Sequence, residues 1–140
     1  MRVSKLRDAA SPGRAIKLIG VGHAAWGVIA YRDPLRELAA SGPFDSVGDG
    51  LISKAHSADA RAAAFWFLLA APLIVLTGHL VEAAERSGDV SAMRVAGRTV
   101  LGIGMVGAAV MPRSGFLSVI PVGFWLGRRA RKAAAATSLT

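Results

Sequence analysis

Three side chains hold most of the chemistry that this sequence offers: His23, His79 and Glu82. Both histidines lie inside apolar runs, IGVGHAAWG and LIVLTGHLVEAAE. An ionisable group is expensive to keep in such a run and is by default a functional hypothesis. His79 and Glu82 are spaced i,i+3 and share a helix face, where a carboxylate orients an imidazole and favours its charged form. Groups of this kind perform acid–base chemistry on a substrate held in a buried cavity. Depth allows the two histidines to cooperate. At helical rise, His23 lies about 9 Å beyond Lys17, and His79 about 4–5 Å from Glu82. Antiparallel neighbouring helices would hold the two imidazoles within about 5 Å in height. Gly20 and Gly27 leave the His23 face open, and Trp26 would wall the cavity.

Plainer readings accompany these. A histidine in a helical membrane bundle often bonds a carbonyl of a neighbouring helix. Glu82, at the end of its apolar run, is a solvated charge or a partner for Lys17 or Arg86. Metal binding needs several convergent ligands at suitable spacing, and no zinc-type motif is present. No metal or cofactor is therefore expected, and His56 belongs to a polar loop. The absence of cysteine removes disulfides and thiolate catalysis. Gly102-Ile103-Gly104 before Gly107 matches GxGxxG but sits in an apolar run with no preceding strand, so it is not a dinucleotide loop.

The elements that position these residues read as all-α. Residues 62–81, AAAFWFLLAAPLIVLTGHLV, carry no formal charge and would span about 30 Å as a helix, the thickness of a bilayer's hydrocarbon core. Phe65, Trp66 and Phe67 suit an interfacial aromatic belt, and Pro72 predicts a kink. A first span over 15–31 follows Ser11-Pro12, an N-cap with proline at the first helical position. A second span covers 62–82, with Ser57 or Asp59 as its cap. Residues 32–61 form a polar extracytoplasmic connection with a short helix begun by Asp33-Pro34 and a turn at Phe44–Gly50. Residues 85–91 read as a polar turn. A glycine-rich third span covers 95–111, where Gly104 and Ala108 form a small-xxx-small pair. After a turn at Pro112–Gly115, a fourth span covers 115–127, interrupted by Pro121 and continuing into the alanine-rich 130–136 as an interfacial helix. The whole chain, 1–140, is one integral membrane domain.

Charge orients it. Of 17 Lys and Arg, most crowd the tails: Arg2, Lys5, Arg7, Arg14 and Lys17 at the start, Arg128, Arg129, Arg131 and Lys132 at the end. Asp8 apart, the acids gather between them. The positive-inside rule then places both termini in the cytoplasm, as four spans require. The net charge of +8 reflects this topology and attraction to anionic lipid. Nucleic acid is not an expected partner, because the tails flank apolar runs and lack interleaved aromatics.

RAAAFWFLLAAPLIVLTGHLVEAAER, the following glycine-rich run and MPRSGFLSVIPVG, preceded by IGVGHAAWG, resemble a group of small uncharacterised bacterial four-helix membrane proteins. The resemblance implies a four-helix bundle in the plasma membrane and brings no activity. Three roles follow as expectations. The first is an accessory or structural protein that binds another membrane protein or a second copy through glycine faces. The second is an isomerase- or cyclase-type enzyme for a lipophilic substrate, using His23, His79 and Glu82. The third is an oligomeric transporter or channel subunit.

Overall fold

The computed structural model describes residues 11–41 and 56–137. All described structure is helical: five helices and no strand among the described residues. These are α1 (Pro12–Ala30), α2 (Arg32–Ser41), α3 (His56–Ser87), α4 (Val90–Val110) and α5 (Phe116–Thr137). The turn expected at Phe44–Gly50 lies outside the described residues. Helix α3 opens at His56, so His56 is helical rather than in a loop, and Ser57 and Asp59 lie inside the helix rather than capping it.

Local chemistry explains the helix ends. Ser11 caps α1: its Oγ accepts the Arg14 N–H at 3.1 Å and its carbonyl accepts the Ala15 N–H at 3.0 Å. The short helix α2 starts at Arg32, one residue before the expected cap, because the Tyr31 carbonyl already accepts the Leu35 N–H. Helix α3 continues through Pro72 and ends only at Ser87. Gly88 then takes φ +69°, a left-handed conformation that glycine adopts without a Cβ penalty. Asp89 caps α4, accepting the Ala92 N–H at 2.9 Å. The expected polar turn over 85–91 therefore shrinks to two residues between helices, and α4 starts five residues before the apolar run expected from 95. At the α4–α5 turn, Ser114 donates from Oγ to the Met111 carbonyl at 2.6 Å, and Ser118 does the same to the Gly115 carbonyl at 2.6 Å. Helix α5 runs unbroken through Pro121 and Gly127 to Thr137.

The chain divides into two compact units, one of residues 18–75 and the other formed by the segments on either side. In the 18–75 unit, the second half of α1 packs antiparallel on the first half of α3. Gly20 meets Val75 and the Ala71 carbonyl, and Gly27 meets Phe67 and Leu68. The other unit contains the α4–α5 hairpin. Gly97 abuts Gly127, Leu101 abuts Gly123, and Gly104 abuts Ile120, an antiparallel register with glycine at each level. A Cβ on Gly123 would lie 2.7 Å from the Leu101 nitrogen, so glycine is what permits this approach. Met93, Val100, Val122, Leu126 and Ala130 fill the core of this unit.

Two stretches are long and apolar enough to cross a membrane, Ala60–Ser87 in α3 and Val90–Val110, which is all of α4. Only 22% of either apolar window is buried within the protein. A soluble core helix would bury most of such a window.

Candidate functional site

The polar groups concentrate where α1 begins, α3 ends and α5 enters its second half. Gly13 and Gly78 create the meeting point. A Cβ on Gly13 would sit 2.7 Å from the Gly78 carbonyl, and one on Gly78 would sit 2.7 Å from the Gly13 carbonyl. This crossing brings Lys17 of α1 to Glu82 of α3, Nζ to Oε1 at 2.9 Å. Arg14 Nε lies 3.7 Å from the same oxygen, and Arg86 Nη1 lies 3.5 Å from Oε2. One turn on, Glu85 takes Arg129 of α5, Nη1 to Oε1 at 2.7 Å, and accepts the Gly13 N–H at 3.4 Å. The guanidinium of Arg129 also lies 5.6 Å from the Trp125 ring centroid.

Both carboxylates are largely covered, their side chains 12% and 9% exposed. Glu82 Oε1 has no aligned hydrogen-bond donor, so the close ammonium of Lys17 balances it as an ion pair. A carboxylate fixed among three cations is a clamp between helices. Taking up a proton would cost it those pairs, which disfavours work as a base.

His23 sits in the 18–75 unit, half-buried. Its ring stacks on Phe67 with centroids 3.8 Å apart and planes 13° from parallel. Nε2 lies 3.0 Å from the Phe67 carbonyl. That carbonyl is one residue before the one on Leu68, which Pro72 deprives of its helical donor. Tyr31 also packs on Phe67, with ring centroids 5.3 Å apart. The histidine thus bonds a neighbouring helix's backbone beside the proline. His79 belongs to the other unit and is exposed on α3, one turn before Glu82. The i,i+3 spacing of His79 and Glu82 holds on α3, while the ion pairs of Glu82 go to Lys17, Arg14 and Arg86.

Two groups escaped residue-type reasoning. Glu85, expected in a polar turn, anchors α5 through Arg129. Arg94 and Arg98 lie at the start of the third apolar run, Arg98 inside the stretch expected over 95–111. Their signal was available: two cations at i,i+4 opening an apolar helix, with no acid from residue 90 to the end of the chain.

Fold and site together define a small all-α protein with two helices of membrane-crossing length and composition, held by ion pairs between helix ends. The chain belongs to DUF6463, a family of unknown function, whose model matches residues 7–133. No curated protein and no solved structure matches it.

Proposed function

We propose that the chain is a multi-pass integral membrane protein with an accessory role, binding another membrane protein within the bilayer. The observation that carries this is the apolar exposure of α4. Val95, Ile103, Val106 and Val110 fall on one side of the helix, away from α5, and each is more than half exposed. Water does not favour such a face, whereas lipid or an apolar partner does. The contacts of His23 and Glu82 support structural roles, which puts the accessory reading ahead of acid–base catalysis on His23, His79 and Glu82 and ahead of transport.

The proposed topology has four spans with both termini in the cytoplasm of a plasma membrane. Because the chain lacks cysteine, single substitutions report sidedness cleanly. In intact cells, Ser46→Cys should react with an impermeant maleimide, while Ser4→Cys and Ser138→Cys should react only after permeabilisation. Labelling of Ser138→Cys without permeabilisation would overturn the topology. The chain should also stay in the membrane pellet after alkaline carbonate. For the partner, extraction in mild detergent should give a particle larger than one chain with its micelle, and Val106→Trp should reduce it to that size. A particle of one chain and its micelle in mild detergent would overturn the accessory reading.

A further inference from the structure

The α4–α5 hairpin makes a composite surface that neither helix has alone. Register pairs Gly97 with Gly127 and Leu101 with Gly123, so Arg94 and Arg98 lie at the same height as Arg128 and Arg131. At about 100° per residue, Arg94 and Arg98 are turned about 60° and 100° from Gly97, and Arg131 and Arg128 about 40° and 100° from Gly127. The helices are antiparallel, so equal turns in the same sequence sense point to the same side of the pair. Arg131 Nη1 lies 3.9 Å from where a Gly127 Cβ would stand, which agrees with this placement. Arg129 points the opposite way, to Glu85. All four arginines of the cluster are exposed, as is the neighbouring Lys132. Asp89, the nearest acid in sequence, is engaged as the cap of α4, and no acid occurs from residue 90 onward.

Below this cluster, on the same side, the surface turns apolar. Phe124, Met105 and Leu117 are 56%, 57% and 57% exposed. Phe124 lies about 6 Å below the arginines and Leu117 about 17 Å below, a range that an extended acyl chain covers. The order of chemistry, cations and then a strip of exposed apolar side chains, is that of one phospholipid from headgroup to tail.

We propose that this side of the hairpin binds an anionic phospholipid of the bilayer, its phosphate held by Arg94, Arg98, Arg128 and Arg131 and its acyl chain lying along Phe124 and Met105. The inference rests on the membrane reading above, whose topology places these ends of α4 and α5 at the cytoplasmic leaflet, where anionic lipid is concentrated. Arginine suits the task because its planar guanidinium grips phosphate through paired N–H donors.

The full chain, purified in nonionic detergent, is titrated with phosphatidylglycerol, with phosphatidylcholine and with inorganic phosphate, and its melting temperature is followed. Phosphatidylglycerol should raise the melting temperature saturably, while phosphatidylcholine and phosphate should not. Arg94→Gln with Arg98→Gln, and separately Arg128→Gln with Arg131→Gln, should each weaken that response, at about fivefold in affinity per charge removed. Neither pair should alter the melting temperature in detergent alone, since these side chains are exposed. Arg36→Gln with Arg113→Gln removes the same charge elsewhere and should leave the response intact. An unchanged phosphatidylglycerol response in both arginine pairs overturns the site. An equal response to inorganic phosphate overturns the lipid assignment in favour of a free-anion site. Carbonate extraction separates the two failures: a chain that stays in the pellet but shows no phosphatidylglycerol response sinks this inference alone, and a chain that leaves the pellet sinks the membrane reading itself.

Discussion

Lys17 and Glu82 form the tightest polar link between α1 and α3, and each depends on the other. Lys17→Met leaves a largely covered carboxylate without its closest cation, and Arg14 and Arg86 offset only part of the loss. A stability loss of about 2–3 kcal/mol is expected, after allowing for the partial exposure of Lys17. Glu82→Leu combined with Lys17→Met should recover most of it, because an apolar pair often replaces a covered ion pair without penalty. Thermal melts in detergent of the unaltered chain, Lys17→Met, Glu82→Leu and the double variant measure this coupling. His23 offers a second residue-scale test. His23→Phe keeps a ring on Phe67 and forfeits the contact to its carbonyl, a loss of about 1 kcal/mol. His23→Ala loses both and should cost about 2–3 kcal/mol. Nearly equal losses would mean that stacking contributes little there. His79, exposed on α3, should tolerate alanine within about 0.5 kcal/mol by the same measurement.

At the scale of elements, glycine decides how closely helices approach. Gly123 and Gly102 make a controlled pair within one hairpin. A Cβ at Gly123 collides with Leu101 backbone, whereas one at Gly102 meets nothing within 4 Å. Gly123→Ala should therefore destabilise the protein by about 1–3 kcal/mol, and Gly102→Ala should be neutral or slightly stabilising. Melting temperatures of the two variants check this directly. Gly104 with Ala108 is the small-xxx-small pair expected to let helices approach closely, and glycine faces are also expected to serve association between chains. Within this chain Gly104 meets Ile120 on α5, and Gly123 comes closer still to Leu101 on α4. Gly123 stands between Pro121 and the aromatic Phe124-Trp125, so the expected interruption at Pro121 hides its role. Helix α5 carries on through 130–136 to Thr137 as expected, but unbroken at Pro121, which lies on its exposed side, away from the hairpin seam.

Considered as a whole molecule, the chain separates its chemistry by position. Charge pairs tie helix ends together, and exposed apolar side chains occupy the stretches between them. This arrangement is costly in water and stable in lipid, where backbone groups must be satisfied within helices. Removing anionic lipid from the membrane should lower the melting temperature of the extracted protein, and returning it should restore the value. Neutralising Arg94, Arg98, Arg128 and Arg131 together should abolish that dependence.

Composition and order of residues determined much of this locally. Ser11-Pro12 dictates the start of α1, Gly88-Asp89 the break between α3 and α4, and the uncharged run from Ala62 a helix of membrane-crossing length, because capping, left-handed φ and hydrophobic length are properties of neighbouring residues. The carbonyl contact for His23 and the Lys17 partnership of Glu82 were among the readings that residue types allowed. Only tertiary structure chose them, by placing Phe67 and Lys17 within reach, and only helix packing set Arg94 and Arg98 beside Arg128 and Arg131. Such pairings depend on the register between helices. That register is set where Gly13 meets Gly78 and where Gly97 meets Gly127, contacts made by residues far apart along the chain.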